Sequence, residues 1–460
     1  MEEDCEELES LSREQQIFEK YPVRKAVAAM AIPTVISQVI TVIYNLADTW
    51  YVGLTGNAAT VAAISLCLPV YCIMTAIGNL FGIGGSSVIA RAIGAKRTDR
   101  AQAAYSLALR GAFLVTVIYS LALLLFARPL LLMIGGEADS IDYAGWYTRI
   151  TMIIGGIPTI LSAILAHLIR STGQPKIASF GITLGAILNM VLDPLFMFVI
   201  LPKGNEVIGA AIATALSNCV AMIYFIAYVC RNRSTEVFRF SLPKHTENGK
   251  ILSDILKCGL PSFTLLGASQ ISNLVLNSML GHMGSSAAIA GIGVVRKIDS
   301  LAYSVNQGIT QGMLPIVAYC FAANNHKRMK SVIGFSTVCT VGFSLVSSIC
   351  SFAFAPYLIR FFIDDSTTIF YGTKFLRVLC IAVAIYPALF VIIAVFQAVG
   401  QSKKPFLLSL LHKGSFDIPL FFVIRQLFGT EYILWASPIM AFIALTIAGI
   451  MLWKWLRECS

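Results

Sequence analysis

Twelve apolar runs, each bounded by charge, glycine or proline, constrain this chain more than any other feature. They fall at 26–52, 58–93, 101–127, 144–169, 177–201 and 206–230, then at 254–280, 286–321, 329–355, 372–397, 405–428 and 431–455. A bilayer-spanning helix needs about 20 predominantly apolar residues, and each run meets that length. Hydrophobic residues make up 57% of the 460 and charged residues 13%, about half the charge a soluble chain carries at roughly 25%. A soluble enzyme, a disordered regulator and a nucleic-acid-binding domain are excluded together. The expected fold is an all-α integral membrane protein with twelve transmembrane helices in two six-helix bundles.

Charge sets the expected sidedness. With both termini in the cytoplasm, the inner segments hold 23 of the 34 Lys and Arg residues and the outer segments 7, the other four lying within spans. That skew satisfies the positive-inside rule, and it also accounts for the net charge of +10 without a polyanionic partner. The expected parts are a cytoplasmic N-terminal segment (1–25), an N-terminal bundle (26–230), a cytoplasmic linker (231–250), a C-terminal bundle (251–456) and a short tail (457–460). The acidic start lacks the basic n-region of a cleavable signal. The 11 cysteines include no CxxC pair or zinc-like spacing, so they read as small packing residues in a reduced setting.

The two halves repeat. Shifting the chain by 228 pairs Pro33 with Pro261, Asn45 with Asn273, Gly53 with Gly281, Gly84 with Gly312 and Arg100 with Arg328. Gly173-Gln174 meets Gly400-Gln401 at a shift of 227. An even number of spans separates the copies, so both cross the membrane in the same sense. A pseudo-twofold axis along the membrane normal follows, with a cavity between the halves, as in many secondary transporters. The second and eighth spans are long enough to run past the bilayer, or to tilt or break at Gly82, Gly84, Gly85, Gly308 and Gly312.

Where the halves agree, a residue serves the fold; where only one half is ionisable, function is the better reading. Asp48 faces Leu276, and Leu68, Pro69 and Tyr71 face Arg296, Lys297 and Asp299. A carboxylate at mid-span costs roughly 2.5–3.5 kcal/mol on insertion scales. Asn189 and Asp193, four residues apart, share one helix face, and Thr214 enters the next span from the same side. Counted from the outer ends, Asp48 and Asp193 lie about 6 and 12 Å deep, within reach of one another. Two carboxylates, an amide oxygen and a hydroxyl suit a hard monovalent cation, and equally suit a shared proton; the bland alternatives are a helix cap for Asp48 and a loop base paired with Asp193. In the second half, Arg296/Asp299 and Lys413/Asp417 are either self-neutralising pairs or a polar lining. Gln38, Tyr44, Asn45, Arg296, Asp299, Gln307 and His412 are the candidates for a substrate cavity. His412 is the best-placed internal histidine for proton transfer, the alternative being a packing residue.

The ordered stretches Ile32-Pro33, Tyr44-Asn45-Leu46-Ala47-Asp48, Ala90-Arg91-Ala92-Ile93-Gly94, Ser171-Thr172-Gly173-Gln174-Pro175, Asn189-Met190-Val191-Leu192-Asp193-Pro194, Gly209-Ala210-Ala211 and Gln397-Ala398-Val399-Gly400-Gln401 resemble the multidrug and toxic compound extrusion (MATE) family, in its DinF-like branch. The resemblance implies export of bulky, often cationic amphiphiles against inward Na⁺ or H⁺. It places the coupling ion on Asp48, Asn189, Asp193 and Thr214. It also implies no cofactor beyond that ion, no catalytic residues, a monomer in the plasma membrane, and small molecules and lipid as the only partners. Other branches carry acids in the seventh and tenth helices; here the second-half acids are Asp299 and Asp417, which favours coupling in the first half. A lipid-linked oligosaccharide or cell-wall precursor flippase of the same superfamily is the alternative reading. A membrane-embedded hydrolase or acyltransferase lacks its His–carboxylate or Ser–base constellation.

Overall fold

The computed structural model describes residues 16–135, 138–232, 236–238, 245–281, 286–412 and 416–459. Among them the chain is helical from end to end, as the apolar patterning requires, because in lipid every backbone donor and acceptor must be satisfied within its own segment. First-half helices are α1 (Val23–Leu54), α2 (Ala58–Gly94), α3 (Thr98–Met133), α4 (Ala138–Thr148), α5 (Gly156–Ser171), α6 (Pro175–Pro194) and α7 (Glu206–Arg231). The second half has α8 (His245–Gly281), α9 (Ser286–Ala322), α10 (His326–Ala353), α11 (Ala355–Phe362), α12 (Ser366–Ala398), α13 (Lys403–His412), α14 (Asp417–Phe428) and α15 (Ala436–Glu458).

Ten stretches of the described residues are long and apolar enough to cross a membrane. The bent pair Ser140–Ile154 and Gly156–Ser171, turned by 50°, makes an eleventh if counted as one span. The expected eighth span is present as the continuous α9. It falls short on apolarity because it carries Arg296, Lys297 and Asp299 together with the amides of Asn306, Gln307 and Gln311.

Local sequence explains the irregular turns. Pro194 closes α6, and a π-helical segment, Leu195–Ile200, follows it; proline has no N–H to donate and its ring clashes with the carbonyl four residues back. A second π-helical segment, Arg149–Ile154, precedes the bend at Gly155. The side chain of Asp365 caps α12 by accepting from the Thr368 amide at 2.8 Å and its hydroxyl at 2.6 Å. These contacts hold the exposed Asp365 carboxyl below its ordinary range. Within the stretch 231–250, α8 begins at His245, and the short turn Glu236–Phe238 buries Phe238 edge-on against Tyr105.

The glycines of α2 and α9 break neither helix; each runs uninterrupted for 37 residues. They are contact points instead. A Cβ on Gly84 would overlap the Ile255 carbonyl, and one on Gly259 the Leu80 carbonyl, so α2 and α8 meet backbone to backbone. Gly308 and Gly312 of α9 bring the backbone of α1 in at Val35 and Ala31 in the same way. Small residues at such crossings are what allow membrane helices to pack closely. These contacts, and those of Gly94 with Tyr319, lie in the half of the molecule where α1 begins and α2 ends. The same end carries the Arg100–Asp254 ion pair at 2.7 Å and hydrogen bonds from Ser87 to the Gln397 carbonyl (2.7 Å) and from Gln397 to the Cys258 carbonyl (3.0 Å).

Candidate functional site

A cavity of about 360 Å³ opens among first-half helices and α9. The pattern of α6 puts Asn189 and Asp193 one turn apart on its buried face, and both are almost wholly enclosed. The Asn189 amide nitrogen donates to Asp193 Oδ1 at 3.3 Å and to Thr214 Oγ1 on α7 at 3.4 Å. Those two bonds use the amide's donors and orient its oxygen the other way. Asn189 Oδ1 and Asp193 Oδ2 are left buried with no hydrogen-bond partner. A buried acceptor of this kind is costly unless something positive meets it. A cation with oxygen ligands would meet such an acceptor, and a proton would satisfy the carboxylate.

Asp48 lies inside α1, several residues short of its end, and is half-buried; it does not cap the helix. Its carboxylate is close enough to Asp193 for the two to interact electrostatically. Tyr44, one turn earlier on α1, lies near Tyr71 and Tyr147 in the same electrostatic neighbourhood as the two carboxylates. The structure thus brings Asp48, Asn189, Asp193, Thr214 and Tyr44 into one neighbourhood. Among the described residues no three His, Cys, Asp or Glu side chains gather as a metal cluster, so any cation here would rely on neutral oxygens beside the two carboxylates.

The other cavity candidates divide. Gln38, Tyr44 and Gln307 line the first cavity with Asn189 and Thr214. Arg296, Asp299 and His412 line a second one, about 430 Å³, between α8, α9 and α12. There His412 is packed edge-on against Tyr386 and Phe390, with ring centres 4.3 and 5.0 Å away. Asn45 is exposed and lines neither cavity. Asp417 accepts a 2.5 Å hydrogen bond from Ser272 of α8, while Lys413, expected beside it, lies outside the described residues. Tyr303 lines both cavities.

Sequence reasoning assigned no role to Arg170 or to His167, which stand near the end of α5. Arg170 is 1% exposed and forms the floor of the first cavity with His167, Gln38 and Gln311. Its signal in the sequence was its place in the repeat: at the shift of 227, Arg170 meets the uncharged Gln397.

The fold and this polar, two-cavity interior define a membrane transporter, and comparison with known proteins places it. The MatE family model matches residues 33–195 and again 261–423, two copies offset by the 228 residues of the internal repeat. Multidrug export protein MepA of Staphylococcus aureus (strain MSSA476) is 30% identical over 420 residues, 91% of each chain. The protein of the same name from Staphylococcus saprophyticus is 29% identical over 419 residues, again 91% of each. Among solved structures, MATE in the straight conformation superposes with a TM-score of 0.89 at 22% identity, covering 98% of this chain and 99% of that one. A multidrug resistance MATE family transporter of the MOP superfamily in an outward-facing conformation gives 0.86 at 23% identity, covering 96% and 98%. The chain belongs to the MATE family of multi-pass membrane transporters.

Proposed function

We propose that this protein is a secondary active exporter of bulky organic compounds, many of them amphiphilic cations, working by antiport with Na⁺ or H⁺. The observation that carries the reading is the pair of unsatisfied buried oxygens on Asn189 and Asp193 beside Asp48. The multidrug export named for its relatives supports the substrate class. In this reading Asp48, Asn189, Asp193 and Thr214 take the coupling ion, and the aromatic and amide lining of the first cavity takes substrate.

The finer architecture belongs to the same proposal. Counting α9 as a span, together with the bent α4–α5 pair, gives twelve, six in each of two pseudo-twofold bundles (26–230 and 251–456), with both termini cytoplasmic, in a monomer of the plasma membrane. The end where α1 begins is then the cytoplasmic one. The glycine contacts and Arg100–Asp254 close that end, so the first cavity belongs to an outward-open state. Ion entry from outside would neutralise the carboxylates and favour release of substrate; departure of the ion inward would reset the cycle. Coupling requires only that ion and substrate prefer opposite states.

Uptake of ethidium into everted vesicles, under separately imposed Na⁺ and H⁺ gradients, tests this. One gradient is expected to drive uptake in the wild type, and Asp48→Asn and Asp193→Asn to reduce it to the level of vesicles lacking the protein. Undiminished gradient-driven uptake in both variants overturns the coupling assignment.

A further inference from the structure

We infer that the floor of the first cavity is an anion-receiving subsite, in which Arg170 binds the carboxylate of zwitterionic, carboxylate-bearing amphiphiles. The inference deepens the efflux reading and rests on it. A guanidinium carries five N–H donors and no acceptor. Arg170 Nη1 donates to Gln311 Oε1 at 3.1 Å and meets His167 Nδ1 at 3.4 Å, whereas Nε and Nη2 are buried with no partner. The Gln311 oxygen is itself shared, since Gln38 Nε2 donates to it at 3.3 Å. Among the described residues no carboxylate is ion-paired with Arg170. A buried charge of this kind normally has a counter-charge, and a carboxylate is the group that fits the fork bidentately.

The internal repeat strengthens the case. Arg170-Ser171-Thr172-Gly173-Gln174 and Gln397-Ala398-Val399-Gly400-Gln401 occupy equivalent turns, with Gly173 and Gly400 both at positive φ, 69° and 80°. Gln397 finds full employment as a structural donor, to the Cys258 carbonyl at 3.0 Å and Ser262 Oγ at 2.8 Å. The turn therefore does not require a cation, and the charge is peculiar to the half that holds the cavity. Asp48 stands ten residues above Gln38 on α1, about 15 Å along the helix axis. Neither Asp48 nor Asp193 lines the cavity, and Arg170 is the one Lys, Arg, Asp or Glu among its lining residues, so the floor presents an uncompensated positive charge to an anionic group.

The test compares rhodamine B, as the free acid, with its ethyl ester: the same cationic ring system with and without a carboxylate. Everted vesicles carrying wild type, Arg170→Gln and Gln311→Glu are given each dye under the driving gradient, and the free-acid to ester uptake ratio is read. Arg170→Gln removes the fork, and Gln311→Glu supplies it with an internal carboxylate. Each is expected to lower the ratio about tenfold, the worth of one charge-assisted bidentate contact. A ratio that stays within about twofold of wild type in both variants overturns the inference, because bidentate pairing is the interaction being removed. Dye binding to purified wild type, followed by fluorescence anisotropy, needs no variant. The free acid is expected to bind at least as tightly as the ester, and weaker binding overturns the subsite even if both variants misfold. Loss of driven ester uptake in wild type would instead overturn the efflux reading, so the two failures are told apart.

Discussion

At the level of single residues, Asn189 links the carboxylate and hydroxyl of the proposed ion site. One amide nitrogen serves both Asp193 and Thr214, so its loss strips a buried carboxylate oxygen of its donor. Asn189→Ala is expected to destabilise the protein by about 1 kcal/mol, the worth of a hydrogen bond between membrane helices, and to abolish gradient-driven export. Thermal unfolding in detergent and vesicle uptake check the two parts. A variant that unfolds earlier yet transports normally would make Asn189 a structural residue only. Thr214→Val removes an oxygen while keeping shape. Its expected signature is a raised requirement for the coupling ion, read as a shift of half-saturation in uptake against ion concentration.

At the level of elements, the α2–α8 crossing is set by backbone contact, not by charge. Gly84 and Gly259 each leave room for a carbonyl of the facing helix, and a backbone cannot rotate away as a side chain can. Gly259→Val is therefore expected to force the helices apart at this end. Cys258, 1% exposed in the closed arrangement, reports on it: labelling by a membrane-impermeant maleimide in everted vesicles should rise well above that of wild type. Unchanged labelling would mean that the crossing absorbs the valine. The Arg100–Asp254 pair nearby is a useful contrast. Both side chains are about a third exposed, and exposed pairs are worth roughly 0.2–1 kcal/mol. Asp254→Ala should accordingly change Cys258 labelling far less than Gly259→Val does.

At the scale of the whole molecule, closure of one end is a property of both halves together. Val35 on α1 lies against Gly308 on α9. In a background without native cysteines, Arg100→Cys with Asp254→Cys, which the ion pair sets across from one another on the two halves, should be joined by a bifunctional maleimide, arrest transport, and leave dye binding from the outside intact. Arrest of outside binding instead would mean that this end does not face the cytoplasm in the state described.

Much of this was legible in the chain before it folded. The apolar runs predict membrane helices because partition between lipid and water is decided residue by residue along a segment. The repeat survives as matched prolines and glycines, and the lone acids Asp48 and Asp193 stand out because charge in lipid is expensive. Three things were decided only in three dimensions. The glycines of α2 and α9 look like breaks in a one-dimensional pattern but are crossings, since what a missing Cβ accommodates depends on a helix far away in sequence. Asn45, recurring and polar, points away from both cavities, because its direction is set by the rotation of α1 against its neighbours. Arg170 looks like an ordinary inner-loop base at a helix end, and becomes the buried floor of a cavity only when Gln311, 141 residues onward, closes over it. The sequence determines which segments enter the bilayer and which groups are costly there; which groups meet is decided by how two repeated halves come together, an arrangement no local pattern encodes.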